Sequence, residues 1–197
     1  MLNAQVDKIT IQYNDLVDGC RDISSRVNNL IDEFKEITND MSGDSTTEVV
    51  DFNLTDITSK SNLYPNNFND IIDIYLVDRG FDKSKMENLG EVIYMMENEY
   101  NVNGLFCLAV SALESTFGTS DAAVNNNNLF GFIDNSGNLM KFDTPEECVM
   151  YWGELIRKYY IDEGLDTIEL IQKKYCPNST TWAPNIHALL EEFGDYV

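Results

Sequence analysis

Over the first forty-one positions apolar residues recur in an unbroken alternation of four- and three-residue steps. They are Leu2, Val6, Ile9, Tyr13, Leu16, Cys20, Ile23, Val27, Leu30, Phe34, Ile37 and Met41. This is the 3.5-residue repeat of a coiled coil, whereas a merely amphipathic helix drifts out of phase after a few turns. Gly19 costs about 1 kcal/mol relative to alanine inside a helix, yet the phase runs through it, so one continuous helix is predicted over residues 1–41. Ile9, Ile23 and Ile37 share one heptad position with Leu16 and Leu30, which departs from the dimer rule and leaves the number of strands open. The predicted partner of residues 2–41 is another copy of the chain; a long helix packed on its own domain is the alternative.

After Met41 the pattern stops. Residues 42–66 are rich in Ser, Thr, Asn and Asp and read as a linker, with one short strand around Glu48–Phe52. From Asn67 to Val197 the periodicity becomes that of successive helices. The first closes at Gly80. The second opens at Ser84, with Glu87 at capping-box spacing. Residues 102–115 are nearly all apolar and form the predicted central helix. Asn135-Ser136-Gly137-Asn138, between apolar flanks, predicts a β-hairpin. Thr144, with Pro145 at the first helical position and Glu147 three residues after the cap, opens another helix. Two shorter helices follow, over Leu165–Lys174 and Pro184–Phe193. The predicted class is mainly α: an α+β domain with a small hairpin lobe, preceded by a coiled-coil helix.

Composition narrows the possible chemistry. The 197 residues carry 34 acidic and 13 basic side chains, a formal net charge of −21, with 43% hydrophobic residues including ten Tyr and ten Phe. So aromatic a chain is long enough to bury a core. Its acidity disfavours nucleic acid and anionic membrane as partners. No stretch approaches the ~18 apolar residues of a membrane span, and the first residues lack the pattern of a secretory signal. Cys20, Cys107, Cys148 and Cys176 lie far apart and His187 is the single histidine. Neither a zinc site nor a disulfide framework has the required spacing, so no metal or cofactor is expected. A Ser or Cys hydrolase would have to rely on His187.

Between Tyr100 and Asp121 the single charged residue is Glu114. It shares a helical face with Phe106, Cys107 and Val110, so it ends an apolar stripe. Desolvation and the negative end of the helix dipole both favour its protonated form. A carboxyl group kept protonated near neutral pH is what protonates a glycosidic leaving oxygen. A glutamate turned outward at a helix end is the competing reading.

The surrounding residues add weight. Glu114, Ser115, Gly118 and Ser120, followed by Asn127, Asn128, Leu129, Phe130 and Gly131, resemble two blocks of the glucosaminidase family of peptidoglycan hydrolases, glycoside hydrolase family 73. The segments KFDTPEECVMYW and KYCPNSTTWAPNI are similar to two later blocks, in family order across Asn67–Val197. The resemblance implies a lysozyme-like fold and cleavage of the β-1,4 bond after N-acetylglucosamine in bacterial cell wall. It makes Glu114 the general acid and Tyr175 the late tyrosine that stabilises or orients the reacting sugar. Asn128 and Phe130 are expected to shape the groove floor, and Trp182 or Tyr151 to stack on a sugar face. Core packing is the alternative for each of these aromatics.

Thr116-Phe117 departs from the family's Gly or Ala followed by Trp. The family's second acidic residue has no obvious counterpart: Asp134 is the nearest candidate, Asp143 lies behind it, and either equally suits a turn. Without a second carboxylate, the sugar's 2-acetamido group can serve instead. A lytic transglycosylase on the same fold and a non-catalytic, glycan-binding coiled-coil protein are the rival readings. A wall hydrolase joined to an oligomerising helix, with no visible leader, suggests a virion component such as a phage tail-associated lysin. Other tail proteins are then possible partners, and a released endolysin is the alternative.

Overall fold

The structure is a computed structural model and describes residues 54–196. The predicted coiled coil over residues 1–41 and the strand at Glu48–Phe52 lie outside the described residues. Among the described residues seven α-helices occur in order: α1 (Pro65–Arg79), α2 (Gly90–Tyr100), α3 (Gly104–Ser115), α4 (Asp121–Asn126), α5 (Pro145–Tyr159), α6 (Ile168–Tyr175) and α7 (Trp182–Gly194), with a 3₁₀ turn at Ile161–Glu163 after α5. The apolar α3 forms the centre: Leu105 to Ser111 are buried without interruption. It packs against α2 and α7; α2 also contacts α1 and α5, and α7 also contacts α6.

Local chemistry sets most helix ends. Pro65 starts α1, and Gly80, left-handed at φ 67°, stops it and donates its N–H to Leu76 and Val77. The Thr144 side chain accepts from Glu147 N to start α5, with Pro145 inside the first turn. Asn103 caps α3 by accepting from Phe106 N at 3.1 Å. Where α5 crosses α2 a side chain cannot fit, because a Cβ on Gly153 would run into the Met96 side chain. The small residue lets the two helices approach.

Three expectations change. The Ser84–Glu87 pair forms, with Ser84 N donating to Glu87 Oε1 at 2.9 Å, but it closes a turn and does not open the helix. Asn88 is left-handed at φ 61°, so α2 begins only at Gly90, whose N–H donates to Asn69 Oδ1 at 2.8 Å. The predicted hairpin reduces to one antiparallel bridge, Ile133 to Leu139, with no strand among the described residues. The second half of the predicted linker is a strap across the domain, burying Leu54, Ile57 and Leu63. Ile57 N donates to Asp166 O at 2.9 Å and Asn103 N to Ile57 O at 2.8 Å.

Glu97 in α2 locks that strap. It is 2% exposed, and its carboxylate accepts from Ser61 N at 2.8 Å, Ser61 Oγ at 2.8 Å and Gly104 N at 3.0 Å. A buried carboxylate is tolerable only when its lone pairs are taken, and this one sits at the amide end of α3, where negative charge is favoured.

Candidate active site

Helix α3 delivers Glu114 one residue before its end, and the chain then makes a rare turn. Thr116, Phe117 and Gly118 all have positive φ, at 51°, 53° and 76°. Side chains with a Cβ resist this region by roughly 1–2 kcal/mol each. Surrounding contacts hold the turn nonetheless. The Phe117 ring is fully buried, 4.5 Å from the Tyr75 ring, and its carbonyl accepts from Ser84 Oγ. Ser115 Oγ donates to Ser111 O at 2.9 Å and accepts from Gly118 N at 2.9 Å. A Cβ on Gly118 would stand 2.8 Å from Ser84 Oγ, so position 118 needs glycine on both conformational and steric grounds. Thr116 is exposed and free of that crowding. Thr116→Gly is expected to stabilise the domain by about 1 kcal/mol, read as a raised denaturant midpoint with an unchanged slope.

Glu114 is half-buried. Burial pushes its carboxyl pKa up, and the hydrogen bond from Trp182 pulls it part of the way back. That bond runs from Trp182 Nε1 to Glu114 Oε1 at 3.2 Å. The indole is itself 6% exposed and packs 5.2 Å from the Tyr175 ring and edge-on to Phe106 at 6.3 Å. Burial and the nearby Glu114 charge raise the Tyr175 phenol far above its ordinary value, so it stays protonated at any working pH. Cys176, partly buried, is likewise pushed up by burial and by Glu114.

Glu114, Trp182 and Tyr175 therefore meet. Trp182 is not free to stack on a sugar, since it packs inside and donates to the carboxylate. Removing that donor removes a bond that favours the ionised acid. In Trp182→Phe the Glu114 pKa is expected to rise further, moving the alkaline limb of the pH–rate profile to higher pH; a profile that stays put contradicts this bond.

The remaining candidates fall elsewhere. Asn128 is 0% exposed and its amide is fully committed: Nδ2 donates to Phe132 O at 2.8 Å and Met140 O at 3.0 Å, and Oδ1 accepts from Phe132 N at 2.9 Å. It braces the lobe and has no surface to offer a ligand. Phe130 is 3% exposed and stacks on Trp152 at 5.0 Å and 17°, behind the lobe. Asp134 is exposed, and its Oδ1 accepts from Ser136 N at 2.8 Å and Asn138 N at 2.9 Å. These backbone donors lower its pKa, so Asp134 is an ionised turn former. Tyr151 is 39% exposed and leans on the lobe. His187 pairs with Glu169 at 2.8 Å, away from Glu114. No group of three or more His, Cys, Asp or Glu among the described residues could hold a metal ion.

The chain that carries this half-buried carboxyl group at the end of a buried helix has relatives. Residues 90–195 match the family Glucosaminidase, described as mannosyl-glycoprotein endo-beta-N-acetylglucosaminidase. That is more than half of the chain, and the chain belongs to the glucosaminidase family. Two Streptococcus pneumoniae proteins, each named "Putative endo-beta-N-acetylglucosaminidase", from strains TIGR4 and R6, are 36% identical over 87 residues. The match covers 42% of this chain but 13% and 12% of theirs, so this chain corresponds to a small part of those relatives. Among solved structures, a catalytic mutant of S. aureus autolysin E in complex with the disaccharide NAG-NAM aligns with TM-score 0.57 at 20% identity, covering 74% of this chain and 72% of that one. Autolysin E on its own aligns with TM-score 0.53 at 19% identity, covering 76% and 74%. At such identities the likeness defines the fold.

Proposed function

We propose that the chain is a peptidoglycan hydrolase that cleaves the β-1,4 bond after N-acetylglucosamine, with Glu114 as general acid. The observation that carries this reading is the Glu114 environment: a carboxyl group whose pKa is raised by burial, held by the Trp182 indole at 3.2 Å within the family's matched residues. Glu114 gives its proton to the glycosidic oxygen as the C1–O bond breaks. With Asp134 committed to a turn, the sugar's own 2-acetamido oxygen takes the electron-poor C1. Water then opens that adduct and returns a proton to the Glu114 carboxylate. Tyr175, protonated beside the acid, offers its hydroxyl as a donor toward the reacting ring.

Wild-type chain incubated with purified peptidoglycan tests this reading. New N-acetylglucosamine reducing ends support it, and anhydro-muramic ends would point to a lytic transglycosylase instead. The heptads over residues 2–41 support a homo-oligomer, and with it a place in a larger assembly such as a phage tail. A monomeric mass of the full chain by light scattering would contradict that part. Tethering also suits the charge of −21, because an acidic protein gains no long-range attraction to an anionic wall.

A further inference from the structure

Trp182 reaches Glu114 only while its ring is held in place. The bond between them is 3.2 Å long, at the far end of the N–H···O range, so a shift of roughly 0.5 Å would end it with the ring still packed beside Tyr175. That ring is carried by the first residue of α7, and the helix start is not capped in the usual way. Thr181 is of a type that commonly caps helices, yet its backbone is helical and its side chain makes no cap bond.

The first amides of α7 are satisfied from elsewhere. Ser179 Oγ accepts from Trp182 N at 3.0 Å and from Thr181 N at 3.3 Å. Gln172, reaching across from α6, accepts from Ala183 N through Oε1 at 2.8 Å, while its Nε2 donates to Ser179 O at 2.7 Å. One amide thus grips the chain on both sides of Trp182: directly at the residue after it, and before it at Ser179, whose hydroxyl holds the Trp182 N–H. The grip needs a neutral donor and acceptor at one tip, which a glutamine supplies. Helix α6 is a fixed support, because Lys174 Nζ donates to Tyr159 O at the end of α5 and to Glu163 Oε2 at 2.6 Å.

Beside burial, the Trp182 bond is what moves the Glu114 carboxyl group. The ionisable neighbours that sense Glu114, Tyr175 and Cys176, are themselves pushed up by burial and by that carboxylate, so they stay neutral. We propose that Gln172 is a positioning residue for the acid: with Ser179 it sets the aim of the Trp182 indole, and it acts on Glu114 through that ring. This role rests on the reading of Glu114 as the general acid of a hydrolase.

A double-mutant cycle on the full chain, read as pH–rate profiles with purified peptidoglycan, tests it. Gln172→Met keeps the length and helix preference of the side chain and removes both bonds. Its alkaline limb is expected to move to higher pH, the direction of Trp182→Phe. Gln172→Met combined with Trp182→Phe is expected to move no further than Trp182→Phe alone. Ser179→Ala leaves α6 intact and is expected to shift the limb the same way, which settles the question if Gln172→Met does not fold. His187→Ala, which breaks the Glu169 pair between the same two helices, is expected to leave the limb in place. An unmoved limb in the Gln172 and Ser179 variants, additive shifts in the combined variant, or an equal shift in His187→Ala overturns the proposal.

A readout without turnover separates this role from the hydrolase reading. The chain has two tryptophans, and Trp152 Nε1 has no hydrogen-bond partner among the described residues, so its indole N–H signal in NMR serves as the reference. The Trp182 signal is expected to follow the ionisation of Glu114 in the wild type and to lose that response in Gln172→Met. This result from a wild type that releases no reducing ends keeps the positioning role and refutes the hydrolase. A Trp182 signal that follows pH equally in both proteins refutes the positioning role.

Discussion

Glu114→Gln is expected to slow peptidoglycan hydrolysis by about 10²–10⁴-fold, the range a positioned general acid contributes, without lowering the thermal midpoint at neutral pH. Glutamine keeps an oxygen for the Trp182 indole and the shape of the side chain, so what is lost is the proton. The stability half follows from the sign of the pKa shift. Burial raises the native Glu114 pKa, so the folded state binds this proton more tightly than the unfolded state does. The contribution is then favourable at low pH. It is lost as pH rises from the unfolded value near ~4.3 through the raised native one. Above the raised native value the ionised side chain is a cost to folding, and glutamine removes it. Activity falls while stability holds or rises, the pattern of a functional group kept against the interest of the fold. A variant that loses activity together with a large drop in midpoint would make Glu114 a structural residue.

The second large effect falls on Asn128. Asn128→Asp is almost isosteric, yet it sets an acceptor-only carboxylate against the carbonyls of Phe132 and Met140, where two N–H donors had been. The site is closed to water, and a buried charge without a partner costs about 3–5 kcal/mol. For a domain of this size that corresponds to a fall in midpoint on the order of 10 °C. The sign with pH is opposite to a salt-bridged aspartate: protonation restores a donor, so the variant recovers toward wild type as pH falls. Activity is expected to fail with the fold of the lobe, because Asn128 joins Phe132 to Met140 across it. Thermal scans at acid and neutral pH check this. A variant equally stable at both would show that the amide is not holding the lobe.

These two residues mark the boundary of what sequence reading reaches. Glu114 stood out because it is the single charge in an apolar helix, and periodicity places it on a buried face without knowledge of its partners. Helix ends with local chemistry, such as Thr144-Pro145 and Gly80, were legible for the same reason. Features closed over long separations were not. Glu97 reads as one more acid in an acidic chain; its hold on the strap runs through Ser61, thirty-six residues away. The strap at residues 54–64 has linker composition, and only the spacing of Leu54, Ile57 and Leu63 hints at burial. The hairpin expectation missed because the Asn128 amide takes up backbone groups that a second ladder rung would have used. Trp182 drew attention as an aromatic, but its donation to Glu114 across sixty-eight positions carries no local signal.

The family gives the domain its fold, and burial raises the pKa of Glu114. What remains decisive is which glycosidic bond is cut. Purified peptidoglycan digested by the full chain, reduced with borohydride and resolved by mass spectrometry, reads that bond directly. The expected products end in reduced N-acetylglucosamine and are absent with Glu114→Gln. Products ending in reduced or anhydro-muramic acid, or none from the wild type, would contradict the account.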